Sequence, residues 1–261
     1  MRILFIGDIM GRPGRDAVVR AMPVLKEQFG AFDFIIANGE NSAAGFGLTE
    51  KVMNELFDSG IDIITNGNHV WDKKEFIPFL DSEPRVLRPA NHPAGTPGRG
   101  FAVYEKNGEK LAVLSLQGRT FMPPLDCPFH EALKQIEASD APSIFVDFHA
   151  EASSEKRALA FWLDGKVSAV VGTHTHVQTA DEEVLPGGTA FISDAGMTGG
   201  HGGIIGMTFE SVIPKFLYGT PSRFEVCDKD VRFQAVVIDI DGETGRAMDI
   251  QRVNLSVQDL K

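Results

Sequence analysis

Apolar residues along this chain fall into two alternating patterns. Short runs rich in Ile, Val, Leu, Ala and Phe occupy 3–6, 34–37, 61–65, 112–116, 143–148, 168–171, 189–193 and 235–240, and turn-forming or polar residues flank them. Such runs read as strands. Between them the spacing of apolar residues changes to three and four. "LTEKVMNELFDSG" reads as a helix capped by Thr49 and ended by Gly60, and "SSEKRALAFWLDG" as a second, begun by Ser153 or Ser154 and stopped by Gly165. Alternating strand and helix predicts an α/β layered architecture. The Pro- and Gly-rich stretch 88–100 reads as an ordered surface excursion, and "DGETG" at 241–245 as the turn of a closing β-hairpin.

Polar residues mark the ends of five of these strands. Asp8 follows the first, Glu40 and Asn41 the second, and Asn68 and His69 the third; His149 follows "IFVDF", and His174 and His176 follow "SAVVG". Sites in open α/β sheets form beyond the carboxyl ends of strands, so these clusters are expected to converge. Each residue alone has an ordinary explanation: Asp8 as the cap of a helix starting near Gly14, "GNH" as a polar turn, His149 as a satisfied buried imidazole. Together, in step with successive strand ends, they point to metal-ligand chemistry. Residues i and i+2 at a strand end point the same way, which would aim both His174 and His176 at one site.

The donor set narrows the metal. Carboxylate, amide oxygen and imidazole without thiolate suit Mn, Fe or Zn and contain too much nitrogen for Ca. Seven donors are too many for one tetrahedral ion and suit two ions sharing a carboxylate, as in phosphoryl transfer.

The order Asp8, Glu40-Asn41, Gly67-Asn68-His69, His149 and "GTHTH" at 172–176 resembles the calcineurin-like metallophosphoesterases, whose motifs run D-x-H, G-D, G-N-H-[ED], H and G-H-x-H. "GDIMG" and "ANGEN" are most similar to the bacterial YmdB-like branch, as is "SDAGMTG" at 193–199. The resemblance implies one calcineurin-like domain over 1–261, built as a four-layer αββα sandwich of two mixed β-sheets flanked by helices; the strand pattern alone also allows one doubly wound sheet. It implies two divalent transition-metal ions, with Fe or Mn expected ahead of Zn. One would be held by Asp8, Asn41 and His176, the second by Asn68, His149 and His174, with Glu40 bridging and His69 as general acid. The implied reaction is phosphodiester hydrolysis of cyclic nucleotides, with 2′,3′-cyclic nucleoside monophosphates as the candidate class, through attack of a metal-bridging hydroxide. Two departures stand out: Met10 occupies the place of the D-x-H histidine, and Glu40 that of the usual bridging aspartate.

The rest of the composition bounds the partners. Net charge is −11 at pH 7, against a broad nucleic-acid surface, and the substrate is expected to be a small phosphodiester. Two cysteines, Cys127 and Cys227, give no disulfide framework, and the apolar run before Gly7-Asp8 is too short for a signal-peptide core or membrane span. A cytoplasmic protein is expected; a homo-oligomer is compatible, though no stretch identifies its interface. Arg12, Arg15 and Arg119 read individually as solvated surface charges, and His201 as a surface loop residue. Two other readings compete: a phosphomonoesterase or nucleotidase on the same two metals, and a metal-stabilised RNA-binding regulatory protein. Structural zinc sites are usually closed and commonly use cysteine, which no proposed ligand here is.

Overall fold

The computed structural model describes residues 1–260. Its strands form two mixed sheets. In the first, β1 (Arg2–Ile6), β3 (Phe34–Asn38), β4 (Ile63–Thr65) and β5 (Val86–Leu87) run parallel in that order. Beyond β1 the long hairpin of β13 (Val231–Ile240) and β14 (Ala247–Ser256) pairs antiparallel through β13. The edge is completed by β12 (Met197–Gly200) and the two-residue β2 (Asp8–Ile9). The second sheet has the order β10 (Glu183–Val184), β11 (Ala190–Ile192), β9 (Ala169–Thr173), β8 (Ser143–His149), β7 (Glu109–Gln117) and β6 (Phe101–Lys106).

Period-two alternation along the strands builds the layers. In β1, Ile3 and Phe5 face the second sheet, whose Leu111, Val113, Phe145 and Val171 meet them in one buried cluster. The rings of Phe5 and Phe145 lie 4.9 Å apart there. Leu4 and Ile6 point the other way, into a cluster shared with the helices α1 (Gly11–Phe29), α2 (Glu50–Asp58) and α3 (Ile77–Ser82). On the far side, Ala112, Leu114, Val146 and Phe148 pack against α4 (Pro128–Glu137) and α5 (Ser153–Leu163). The order is therefore helix, sheet, sheet, helix, so the doubly wound single sheet is excluded. All the main strands carry apolar residues on both faces because both faces are covered.

Thr49 caps α2 by accepting from the Val52 amide, and Gly60 follows with φ +97°, as expected. The ordinary explanation of Asp8 as a helix cap falls away. Asp8 caps no helix: α1 begins at Gly11, its cap position is Met10, and no side chain bonds there. Helix α5 begins at Ser153, as expected, and Gly165 follows its end with φ +77°. The 88–100 excursion is ordered around Arg88, whose buried guanidinium donates to the carbonyls of Pro89, Thr96, Pro97 and Gly98. Its charge is desolvated to tie down a segment with few amide donors of its own. Among the described residues, no helix is long and apolar enough to cross a membrane.

Candidate metal centre and active site

All eight predicted side chains come to one end of the sandwich, beyond the carboxyl ends of β1, β3, β4, β8 and β9. Asp8 leaves β1 through Gly7 and joins β2, where pairing to Met197 fixes its backbone. Glu40 and Asn41 follow β3, and Asn68 and His69 sit in the turn after β4. His149 is the last residue of β8. Gly67 lets the two sheets close here: a Cβ at that position would lie 2.1 Å from the His149 ring.

The histidine pair reaches the site by a different route from strand alternation. Strand β9 ends at Thr173, and His174 and His176 lie beyond it with φ of +104° and +64°. Non-glycine residues adopt such a backbone only when the surroundings hold them there. Asp194 does the holding. It accepts from the Thr175 amide and hydroxyl at 3.1 and 2.8 Å, and from the Gly196 amide at 2.9 Å. Its charge is balanced by Lys156 of α5, buried with it at 2.7 Å. Gly172 makes room for this turn, since a Cβ there would meet the Ser193 carbonyl oxygen at 1.8 Å.

Each of the three imidazoles has one nitrogen engaged outside the site and the other aimed inward. His149 Nδ1 meets the Thr173 hydroxyl at 2.9 Å, which itself donates to the buried Asp147 at 2.7 Å. His176 Nδ1 faces the Ile205 carbonyl at 2.9 Å, and His174 Nε2 faces the Glu151 carboxylate at 3.2 Å. Outer partners of this kind fix ring orientation and tautomer at metal sites. Inside, His149 Nε2 lies 3.0 Å from Glu40 Oε1, 3.1 Å from Asn68 Oδ1 and 3.0 Å from His174 Nδ1. One ring N–H cannot satisfy three lone-pair neighbours, whereas a cation among them can. Inward-facing donor atoms of Glu40, His149 and His174 lie within 4.8 Å of one another.

A second group adjoins the first. His176 Nε2 lies 3.0 Å from the Asn41 amide, which is 3.4 Å from Glu40 Oε1. Turning that amide about its last bond would present its oxygen instead, the two orientations being nearly isosteric. Asp8 is fully buried; its Oδ2 accepts from the His174 amide at 3.1 Å, and its Oδ1 has no hydrogen-bond partner. An unpartnered buried carboxylate oxygen is costly unless a cation meets it. The residues present therefore fit divalent metal.

Electrostatics agree with the geometry. Burial raises Asp8 well above the usual carboxylate range. Burial also pushes against charge on Glu40 and His149, but their mutual attraction wins: Glu40 is held down at about 2, while Glu40, Asp8 and Asp147 push His149 up to about 9. Burial, reinforced by the charge on His149, lowers His174 to about 3, and burial also lowers His176. The cluster draws in positive charge but keeps two imidazoles neutral, the state in which they bind metal.

His69 stands apart from the inward donors. Its backbone amide donates to Glu40 Oε2 at 2.9 Å, while its ring Nδ1 lies 2.8 Å from Asp72 and its edge faces Phe46. Four buried supporting residues escaped the sequence reading: Asn38, Asp147, Lys156 and Asp194. Asn38 accepts from the Glu40 amide at 3.2 Å and donates to Asp147 at 3.1 Å. The available signal was a charge inside an apolar block: Asp147 in "IFVDF", and Lys156 on the face of α5 that also carries Leu159, Ala160 and Leu163. The arginines and His201 remain outside the cluster. Arg15 pairs with Glu55 at 2.8 Å, Arg12 faces Asp16 at 3.5 Å, and His201 Nε2 meets the Met197 carbonyl at 3.0 Å.

The two packed sheets, with a histidine, asparagine and carboxylate cluster at one end, define a calcineurin-like phosphoesterase, a class of hydrolase. The fold is shared at 12% identity with the Haemophilus influenzae NAD nucleotidase, with a TM-score of 0.60 over 98% of this chain and 56% of that one. The chain belongs to the YmdB-like protein family, whose model matches residues 4–253. It is 54% identical over 255 residues to the 2′,3′-cyclic-nucleotide 2′-phosphodiesterase of Bacillus subtilis (strain 168), covering 97% of this chain and 96% of the relative. The crystal structure of a phosphatase from Mycoplasma pneumoniae superimposes with a TM-score of 0.93 at 32% identity, covering 98% of this chain and 93% of that one.

Proposed function

We propose that this protein is a cytoplasmic phosphodiesterase that hydrolyses 2′,3′-cyclic nucleoside monophosphates at a two-metal centre, within one catalytic domain spanning 1–261. The observation that carries the metal centre is the convergence of Glu40, Asn68 and His174 on His149 Nε2 beside the partnerless Asp8 Oδ1. Asp8, Asn41 and His176 would hold one divalent ion, and Asn68, His149 and His174 the other, with Glu40 shared. The donor set suits Fe, Mn or Zn, and the family resemblance puts Fe or Mn ahead. When bound, such ions polarise phosphoryl oxygens and make water acidic enough to attack near neutral pH. The substrate class is supported by the name of the Bacillus subtilis relative.

The chain's own groups supply orientation and the proton. Glu40 is placed by two backbone contacts, its amide donating to Asn38 and its Oε2 accepting from the His69 amide. The reaction adds water to phosphorus and breaks the bond to the 2′ oxygen, so the leaving oxygen needs a proton. His69 would give it: imidazole is a common general acid, and this ring is oriented by Asp72 rather than consumed among the ligands. The product is the nucleoside 3′-phosphate.

The test is hydrolysis of 2′,3′-cyclic AMP by chelator-stripped protein before and after addition of Mn²⁺ or Fe²⁺. Activity restored only by metal, with 3′-AMP as product, is expected. Folded, metal-loaded protein that leaves the cyclic diester intact but dephosphorylates nucleoside monophosphates would establish the phosphomonoesterase reading instead.

A further inference from the structure

The proposed metal centre opens on one side into a cavity of about 520 Å³, within the range typical of small-molecule sites. Glu40, Asn41, His69, His174 and His176 form its polar end. Its apolar wall, which begins at Phe46 beside His69, is completed by Met207, Val212, Phe216 and Phe224, and Lys215 is the charged side chain on it. Helix α6 (Phe209–Tyr218) supplies three of these residues, because Val212, Lys215 and Phe216 share one face at spacings of three and four. The rings of Phe46 and Phe224 lie nearly parallel, 6.3 Å apart, and Phe46 touches the His69 ring edge-on at 5.0 Å. The outer part of this wall is unfinished: Phe216 is 74% exposed.

A ligand filling this cavity must be charged at the polar end and flat and apolar along the wall. We propose that the aromatic wall is the nucleobase subsite, in which the base of a cyclic nucleotide packs on Phe46, Phe216 and Phe224 while its phosphate occupies the polar end. The assignment rests on the phosphodiesterase reading and extends it. Phe46 lies directly beside His69, so the base wall begins next to the proposed proton donor. The aromatic wall has almost no fixed hydrogen-bonding groups: Lys215 is a flexible, strongly hydrated cation, and the other side chains there are apolar. Recognition is therefore by stacking, which every base can satisfy, rather than by its hydrogen-bonding edge. A site built to read an edge can reject the wrong base by about 10⁴-fold or more, and this wall has no such means.

The experiment compares kcat/KM for the four 2′,3′-cyclic nucleotides with that for glycerol 1,2-cyclic phosphate, which keeps the strained diester and lacks a base. Metal-loaded wild-type protein is expected to prefer the nucleotides over the base-free ester by at least about ten-fold, the effect of one base–aromatic stack. The four bases should fall within about ten-fold of one another, purines ahead. Phe224→Ala should lower the nucleotide-to-glycerol ratio about ten-fold, and Phe224→Trp should restore it. Should Phe224→Ala unfold, Phe216→Ala makes the same comparison at an exposed position. Equal efficiency on nucleotide and base-free ester, an unchanged ratio in folded variants, or a hundred-fold preference between adenine and guanine would overturn the subsite while leaving the phosphodiesterase standing. Wild-type protein inactive on all five esters would overturn both.

Discussion

Eight side chains carry the proposed chemistry, and two substitutions separate their roles. Glu40→Gln keeps the shape and removes the charge placed against His149. Losing an outer partner of a metal ligand costs about 10–100-fold in affinity or activity, so losing a shared ligand should cost at least about 100-fold. The variant should retain less metal, read by plasma mass spectrometry; wild-type metal content with near-normal turnover would contradict its shared position. His69→Ala should keep its metal and lose about 10²–10⁴-fold in kcat, most for esters with poor leaving groups. If that variant instead loses metal, His69 is a ligand and the acid lies elsewhere. The residue scale also holds the clearest limit of sequence reading. All eight positions were legible because ligand types stood out at the ends of apolar blocks. What brings two of them inward was not: alternation along a strand was expected, but His174 and His176 lie in left-handed backbone beyond β9. Such a conformation depends on contacts from Asp194, distant in sequence, and no local pattern encodes it.

At the scale of elements, the loop carrying the histidine pair is held by a helix on one side and a post-strand turn on the other. Lys156 of α5 and Asp194 form an ion pair buried on both sides. Removing one partner of such a pair leaves the other charge buried and costs about 3–5 kcal/mol, whereas replacing both with apolar residues is often neutral. Lys156→Met should therefore lower stability by that order in urea unfolding, because Asp194 is left buried without its cation. Lys156→Met combined with Asp194→Leu should recover stability but weaken metal binding, since Thr175 then lacks its acceptor and the His174–His176 turn its anchor. Equal metal affinity in the double variant would show that the turn holds itself. The main strands were read with boundary errors of a few residues, because apolar runs buried on both faces announce themselves. Strand β6 was not: its residues alternate between partly covered and exposed, as expected at a sheet edge.

For the molecule as a whole, composition and strand order left open whether one sheet or two would form. The deciding contacts, such as Phe5 on Phe145, join residues far apart in the chain, so only the family resemblance gave the sandwich in advance. The excursion at 88–100 couples the fold to pH. Burial, with the charge of Arg88 adding to it, lowers His92 from 6.5 to about 4, and its Nε2 has no hydrogen-bond partner. Between those values the unfolded chain binds more protons than the folded one, so stability is present above pH 6.5 and lost as pH falls towards 4. His92→Phe should flatten that part of the pH dependence in urea unfolding at pH 7 and 4.5; an unchanged slope would assign the acid sensitivity to other groups.

The most direct measurement is anomalous diffraction at the Mn edge from crystals grown with Mn²⁺. The account predicts two peaks: one among Asp8, Asn41 and His176, the other among Asn68, His149 and His174, with Glu40 reaching both. One peak, or peaks away from these side chains, would contradict the two-metal centre.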